Sequence, residues 1–157
     1  MINIRLLLIL LLTLASTSVL ADRKDHDDHS SAHDGPPLIS LMGHMQTYAH
    51  KLGLSIQAAN RPLARFYAHE VEEVIEAVER IDEYDGIRVS HLLQETLKPA
   101  FEGLEAALDS GDQAGIDTRY EAMLDSCNAC HRAAERGYIV IERSDLNPYP
   151  QRFAPVW

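Results

Sequence analysis

Between residues 38 and 131, apolar side chains recur at steps of three and four, the period of an α-helix with one buried face. The first such segment, residues 38–59, carries Leu41, Met42, Met45, Tyr48, Ala49, Leu52, Ile56 and Ala59 in one stripe centred on Met45 and Leu52. Asn60 and Pro62 mark a break and a restart, since Asn caps a helix start and Pro is tolerated in a first turn. A second helix follows to about Tyr84, with Leu63, Tyr67, Val71, Val74, Val78 and Ile81 on one side and Glu70, Glu72, Glu73, Glu76 and Glu79 on the others. Asp85-Gly86 ends it, and residues 89–108 repeat the pattern through Leu93, Leu97, Ala100, Leu104 and Ala107, with Pro99 expected to kink that helix. After Ser110-Gly111-Asp112, a fourth helix aligns Ile116, Tyr120, Leu124, Cys127 and His131, so Cys127 and His131 share a face. The one strand-like run is Tyr138-Ile139-Val140-Ile141. These patterns predict an all-α protein: an antiparallel four-helix bundle over residues 38–136 and an extended C-terminal tail over residues 137–157.

Ahead of the helices, residues 1–21 have one early cation, Arg5, an apolar run over residues 6–14 and a small-residue exit ending at Ala21. That is the layout of a cleavable secretory signal, and the run is short for a membrane span. The mature chain is expected to begin near Asp22, in the periplasm or otherwise outside the cytoplasm. No cysteine lies at the cleavage point to take a lipid. Residues 22–37 contain no apolar side chain larger than alanine apart from the prolines, and are expected to form a disordered leader. Its His26, His29 and His33, set among Asp25, Asp27, Asp28 and Asp34, could chelate a transition metal or simply serve as a solvated linker.

Composition narrows the partners. The formal charge is −10, and loss of Arg5 with the signal makes the mature chain more acidic. Nucleic acid and anionic membrane surfaces are therefore poor partners, no stable membrane span is expected, and a redox protein with a basic docking patch would be steered towards this surface. An apolar face left on the first two helices would support a homodimer.

The two cysteines carry the chemistry, as Cys127-Asn128-Ala129-Cys130-His131. C-x-x-C-H places two thiols one helical turn apart, to add across the two vinyl groups of one porphyrin, and an imidazole beside the second thiol to reach the iron. A structural zinc site would need a second pair of ligands, and no second cysteine pair is present. A thioredoxin-like pair should follow a strand at a helix start, whereas this one lies deep in a helix. A disulfide across so short a loop would staple almost nothing. The expected cofactor is one covalent haem c, held by Cys127 and Cys130, with His131 as proximal iron ligand.

With its signal segment, four helices and C-x-x-C-H near the end of the fourth, the chain resembles the class II c-type cytochromes, the group that includes the cytochromes c′. The resemblance spans roughly residues 38–136, and only the C-x-x-C-H is specific. It implies a haem near the C-terminal end of the bundle, whose distal side faces the first helix, where low-spin members carry a Met ligand. Two features depart from the family: residues 132–157 continue well past the motif, and Asn60-Arg61-Pro62 makes an unusually tight first turn.

Bundle geometry points the same way for the sixth ligand. In an up-down-up-down bundle the end of the fourth helix lies beside the start of the first, level with Met42 and Met45. Met45, nearer the stripe centre, is the expected distal ligand, with Met42 as fallback; a methionine that only packs in the core is the plain alternative. His50, a further fallback, lies about 7.5 Å further along the axis at 1.5 Å per residue. His44, His69 and His91 are read as surface histidines. Arg132, Arg136, Arg143 and Arg152 follow the motif and could pair with haem propionates or stay solvated. Tyr149, Phe153 and Trp157 could cover a cofactor edge or an ordinary core. The function expected is single-electron carriage rather than enzymatic turnover, with binding of nitric oxide or carbon monoxide at an open sixth site as the alternative. A haem peroxidase is less favoured, because no distal Arg-His pair is evident.

Overall fold

The computed structural model describes residues 35–156. The expected secretion signal, residues 22–34 of the leader with their His/Asp metal reading, and Trp157 lie outside the described residues. Four helices make the fold: α1 (Leu38–Gln57), α2 (Arg61–Glu79), α3 (Val89–Ser110) and α4 (Gln113–Ala133). Each packs on its neighbour in sequence and α4 returns to α1, with no diagonal pairing, so the helices stand in ring order as an antiparallel four-helix bundle. The stripes read from the sequence meet at the centre, where Leu52, Val71, Val78 and Leu104 are wholly excluded from solvent. No β-strand occurs among the described residues, and none of their helices is long and apolar enough to cross a membrane.

Local chemistry sets the helix ends. Asn60 caps α2 by accepting from the Leu63 N–H at 3.4 Å, and Ala59 takes a left-handed φ of 51° to turn the chain between α1 and α2. Asp112 caps α4 through the Gly115 N–H at 3.1 Å. Two helices end earlier than the sequence reading has them: α1 stops at Gln57, leaving Ala59 in the turn, and α2 stops at Glu79, not near Tyr84. Asp85 and Gly86 both have positive φ, and Tyr84 and Ile87 exchange backbone hydrogen bonds of 2.9 and 3.0 Å across them. A two-residue turn of this kind needs extended flanks, which ends the helix early, although Ile81 still reaches the core.

The tail is extended but not a strand. It doubles back along α4, where Arg143 meets Glu121 at 2.9 Å and Asp117 at 3.2 Å. It then crosses to α1 and α2. There the Tyr149 hydroxyl lies 3.2 Å from His50 Nδ1, Tyr67 donates to Gln151 at 2.6 Å, and Asn60 donates to the Phe153 carbonyl at 2.8 Å.

Of the four seams, the one between α1 and α4 is the thinnest. Two contacts near one end of the bundle close it: Gln113 donates to the Ile56 carbonyl at 3.1 Å, and the buried Tyr120 hydroxyl donates to the Ala49 carbonyl at 3.0 Å. Tyr120 fits because residue 53 is glycine; a Cβ there would overlap the phenol. Helix propensity alone would favour Gly53→Ala by about 1 kcal/mol. We expect this variant instead to lose about 1–3 kcal/mol through overpacking, and Tyr120→Phe to lose about 1 kcal/mol with its hydrogen bond, both read from denaturant unfolding. A stabilised Gly53→Ala protein would contradict the close approach.

Candidate cofactor site

Beyond Tyr120 the α1–α4 seam opens into a cavity of about 470 Å³. It lies at the end of the bundle where α1 and α3 begin and α2 and α4 finish. Met42, Met45 and Ala49 line it from α1, Leu93 and Leu97 from α3, and Cys127, Cys130 and His131 from α4. Tyr84 and Ile87, from the turn before α3, and Ile139 and Ile141, from the tail, close the remaining sides. The volume falls within the roughly 300–1,000 Å³ usual for a small-molecule or cofactor pocket.

Helical spacing puts the three motif side chains on this wall. Burial pushes the Cys127 thiol up to about 12 and raises Cys130 in the same direction, against a hydrogen bond with Thr96 that lowers it. Thiols held neutral by an apolar wall are poor nucleophiles and poor redox partners, the reverse of what a thioredoxin-like pair requires. Among the described residues, no group of three or more His, Cys, Asp or Glu side chains is placed to hold a metal ion.

His131 Nδ1 lies 3.0 Å from the Ile139 carbonyl oxygen. A carbonyl can only accept, so Nδ1 carries a hydrogen, and in the neutral ring Nε2 is then the nitrogen with the lone pair. This donor set fits a covalent haem: two neutral thiols a turn apart, an imidazole with a free Nε2 next in sequence, and thioethers on the helix across an apolar chamber.

The other candidates separate. Met45 is buried and Met42 half-buried, and both line the cavity. His50 is not among the lining residues; its ring is turned to Tyr149 under the tail. His69 pairs with Glu72 and His91 with Glu95 on the surface, and His44 is exposed. Tyr149 and Phe153 settle on α1 and α2 and do not line the cavity, which answers the question left open for them: they cover the bundle's own flank. Of the arginines only Arg136 lines the cavity, and it pairs with Asp85 at 2.6 Å. Arg143 is held by carboxylates on α4, and Arg132 and Arg152 are exposed.

Sequence reasoning missed Ile139, Ile141, Tyr84 and Ile87 as cavity residues. It also missed Asn128, whose side chain exchanges two hydrogen bonds with the backbone of Ile141. The apolar run 138–141 was visible, but nothing in its pattern states what it lies against.

With both thiols free, alkylation followed by mass spectrometry should show Cys127 lagging Cys130 in the folded chain. Because burial raises both thiols, the reactive thiolate should form only at higher pH than in ordinary cysteine, so labelling should keep climbing with pH. Unfolding should remove both differences. Equal, fast labelling of the folded chain at neutral pH would contradict the buried wall.

Comparisons with protein-family models, curated proteins and solved structures give no match, so the functional reading rests on the motif and on this geometry.

Proposed function

We propose that this chain is an exported monohaem c-type cytochrome, similar to class II members, that carries single electrons between redox partners. One observation carries the reading: Cys127, Cys130 and His131 on α4 and Met42 and Met45 on α1 line the same apolar cavity. The secretory pattern of residues 1–21 supports export, to the periplasm or an equivalent compartment.

Cys127 and Cys130 would hold the haem through thioethers, His131 Nε2 would be the proximal ligand and the Met45 thioether the distal one. When bound, the haem supplies reversible one-electron chemistry at iron. The chain's part is to hold two ligands on separate, packed helices so that neither must move when the charge changes. The apolar walls exclude water and, together with a thioether ligand, favour the less charged reduced state, raising the potential. No side chain has to accept or donate a proton, so the reading needs no catalytic acid or base. An acidic surface would orient a partner that presents a basic patch.

Optical spectra of the protein purified after export test this. The expected result is one covalently bound haem, low-spin in both oxidation states. Cys127→Ala with Cys130→Ala should abolish covalent attachment, and Met45→Ala should convert the spectrum to high-spin and open the site to carbon monoxide. An unchanged spectrum in Met45→Ala would move the ligand assignment to Met42. A native ferrous form that is already high-spin and shifts at once with carbon monoxide would replace electron carriage with gas binding.

A further inference from the structure

The tail reaches His131 along a path fixed at both ends. At the first end, α4 closes with Glu135 in a left-handed conformation (φ 57°), while the Arg136 N–H donates to the His131 carbonyl at 2.8 Å and the Glu135 N–H to the Arg132 carbonyl at 3.1 Å. This pair of bonds is a Schellman ending, here without the usual glycine. The Ile139 N–H then donates back to the Arg136 carbonyl at 2.8 Å, folding the chain over the helix end. At the second end, Asn128 grips the backbone of Ile141: Nδ2 donates to its carbonyl at 2.8 Å, and its N–H donates to Oδ1 at 2.7 Å. Between these points the Ile139 carbonyl meets His131 Nδ1.

Burial contributes to this stretch only at its far end, where Ile141 packs against the core; Tyr138, Ile139 and Val140 are 78, 42 and 61% exposed, so between the two ends the hydrogen bonds set its register.

We propose that the tail is the positioning element of His131, and that Asn128, inside the C-x-x-C-H itself, is the positioning residue that sets it. The proposal rests on the reading of His131 as an iron ligand and adds the device that aims it. By fixing Ile141, Asn128 holds the Ile139 carbonyl on Nδ1; that bond fixes the tautomer and rotation of the ring and presents Nε2. A carbonyl acceptor on the far nitrogen also makes the imidazole a stronger donor, which favours the ferric state. Losing the bond should therefore raise the midpoint potential. Admission of water through a loosened tail would lower it, since burial raises the potential. The sign separates a positioning role from a merely structural one.

The test uses the full-length protein and three variants: Asn128→Ala, Asn128→Asp and Ile141→Pro. The last removes the Ile141 N–H from the tail side and leaves α4 untouched. In Asn128→Ala, amide exchange at Ile141 should quicken by about tenfold with loss of its two bonds. The His131 Nδ1 proton, followed by NMR in the reduced state, should be lost to exchange with solvent, and the midpoint potential should rise. Asn128→Asp keeps the acceptor for the Ile141 N–H, so amide exchange there should fall between wild type and Asn128→Ala; its added charge lowers the potential by itself, so this variant is read by exchange alone. Ile141→Pro should repeat the rise in potential, and combining it with Asn128→Ala should add little, because both break one device.

Freed Ile141 with an unmoved Nδ1 proton and an unmoved potential would overturn the proposal, as would a potential that falls. If the purified chain carries no haem, it is the cytochrome reading that fails. The Nδ1 proton of the same chain then decides the tail's role: protected in wild type and lost in Asn128→Ala supports it, and unprotected in both overturns it.

Discussion

The contact between Tyr120 and Gly53 governs the rest of the molecule. Where α1 has no side chain, the phenol of α4 seats against its backbone and bonds the Ala49 carbonyl, and the two helices are drawn together. Among the described residues no further side-chain hydrogen bond joins the two helices nearer the start of α1, and there the same seam becomes a cavity. A uniformly packed bundle would bury Met42, Met45 and the α4 motif against one another. Pinned at one end only, the seam leaves them as facing walls.

The apolar character of those walls follows from the positions that supply them. They are continuations of the same stripes that build the core, carried past the point where the helices still touch. This is why the two thiols sit neutral and raised at the C-terminal end of α4, where the helix dipole also disfavours a thiolate. Charge is kept outside. Glu and Asp occupy the outer faces, and the one arginine that reaches the cavity already faces Asp85.

The tail links the two halves of the design. Arg143 pairs with Asp117 and Glu121 and lies over the Tyr120 ring at 5.5 Å, so the segment that borders the cavity is anchored at the residue that pins the seam. Further along, Phe153 is buried and its carbonyl accepts from Asn60, the cap of α2. One asparagine thus starts a helix and ends a tail. The α1–α2 turn, unusually tight in sequence terms, is where the last described residues of the chain dock.

Sequence alone determined what depends on near neighbours. A period of three to four residues reports which side of a helix is buried, so four helices and their faces were legible, as were Cys127, Cys130 and His131 on one turn and Met45 on the opposing stripe. Asn60 was legible as a helix start for the same reason, whereas Asp112 was legible only as part of the break before α4. The early end of α2 was not, because Ile81 keeps the apolar rhythm after the Asp85-Gly86 turn has taken the backbone out of helix. Only the tertiary structure decided the rest. A cavity is a failure of packing between segments some eighty residues apart, and no local pattern encodes it. The tail, held by bonds from Asn128, Arg143 and Asn60 to its backbone or to other helices, has no period of its own to read. Its register, and with it the carbonyl that faces His131, exists only once α4 is there to receive it.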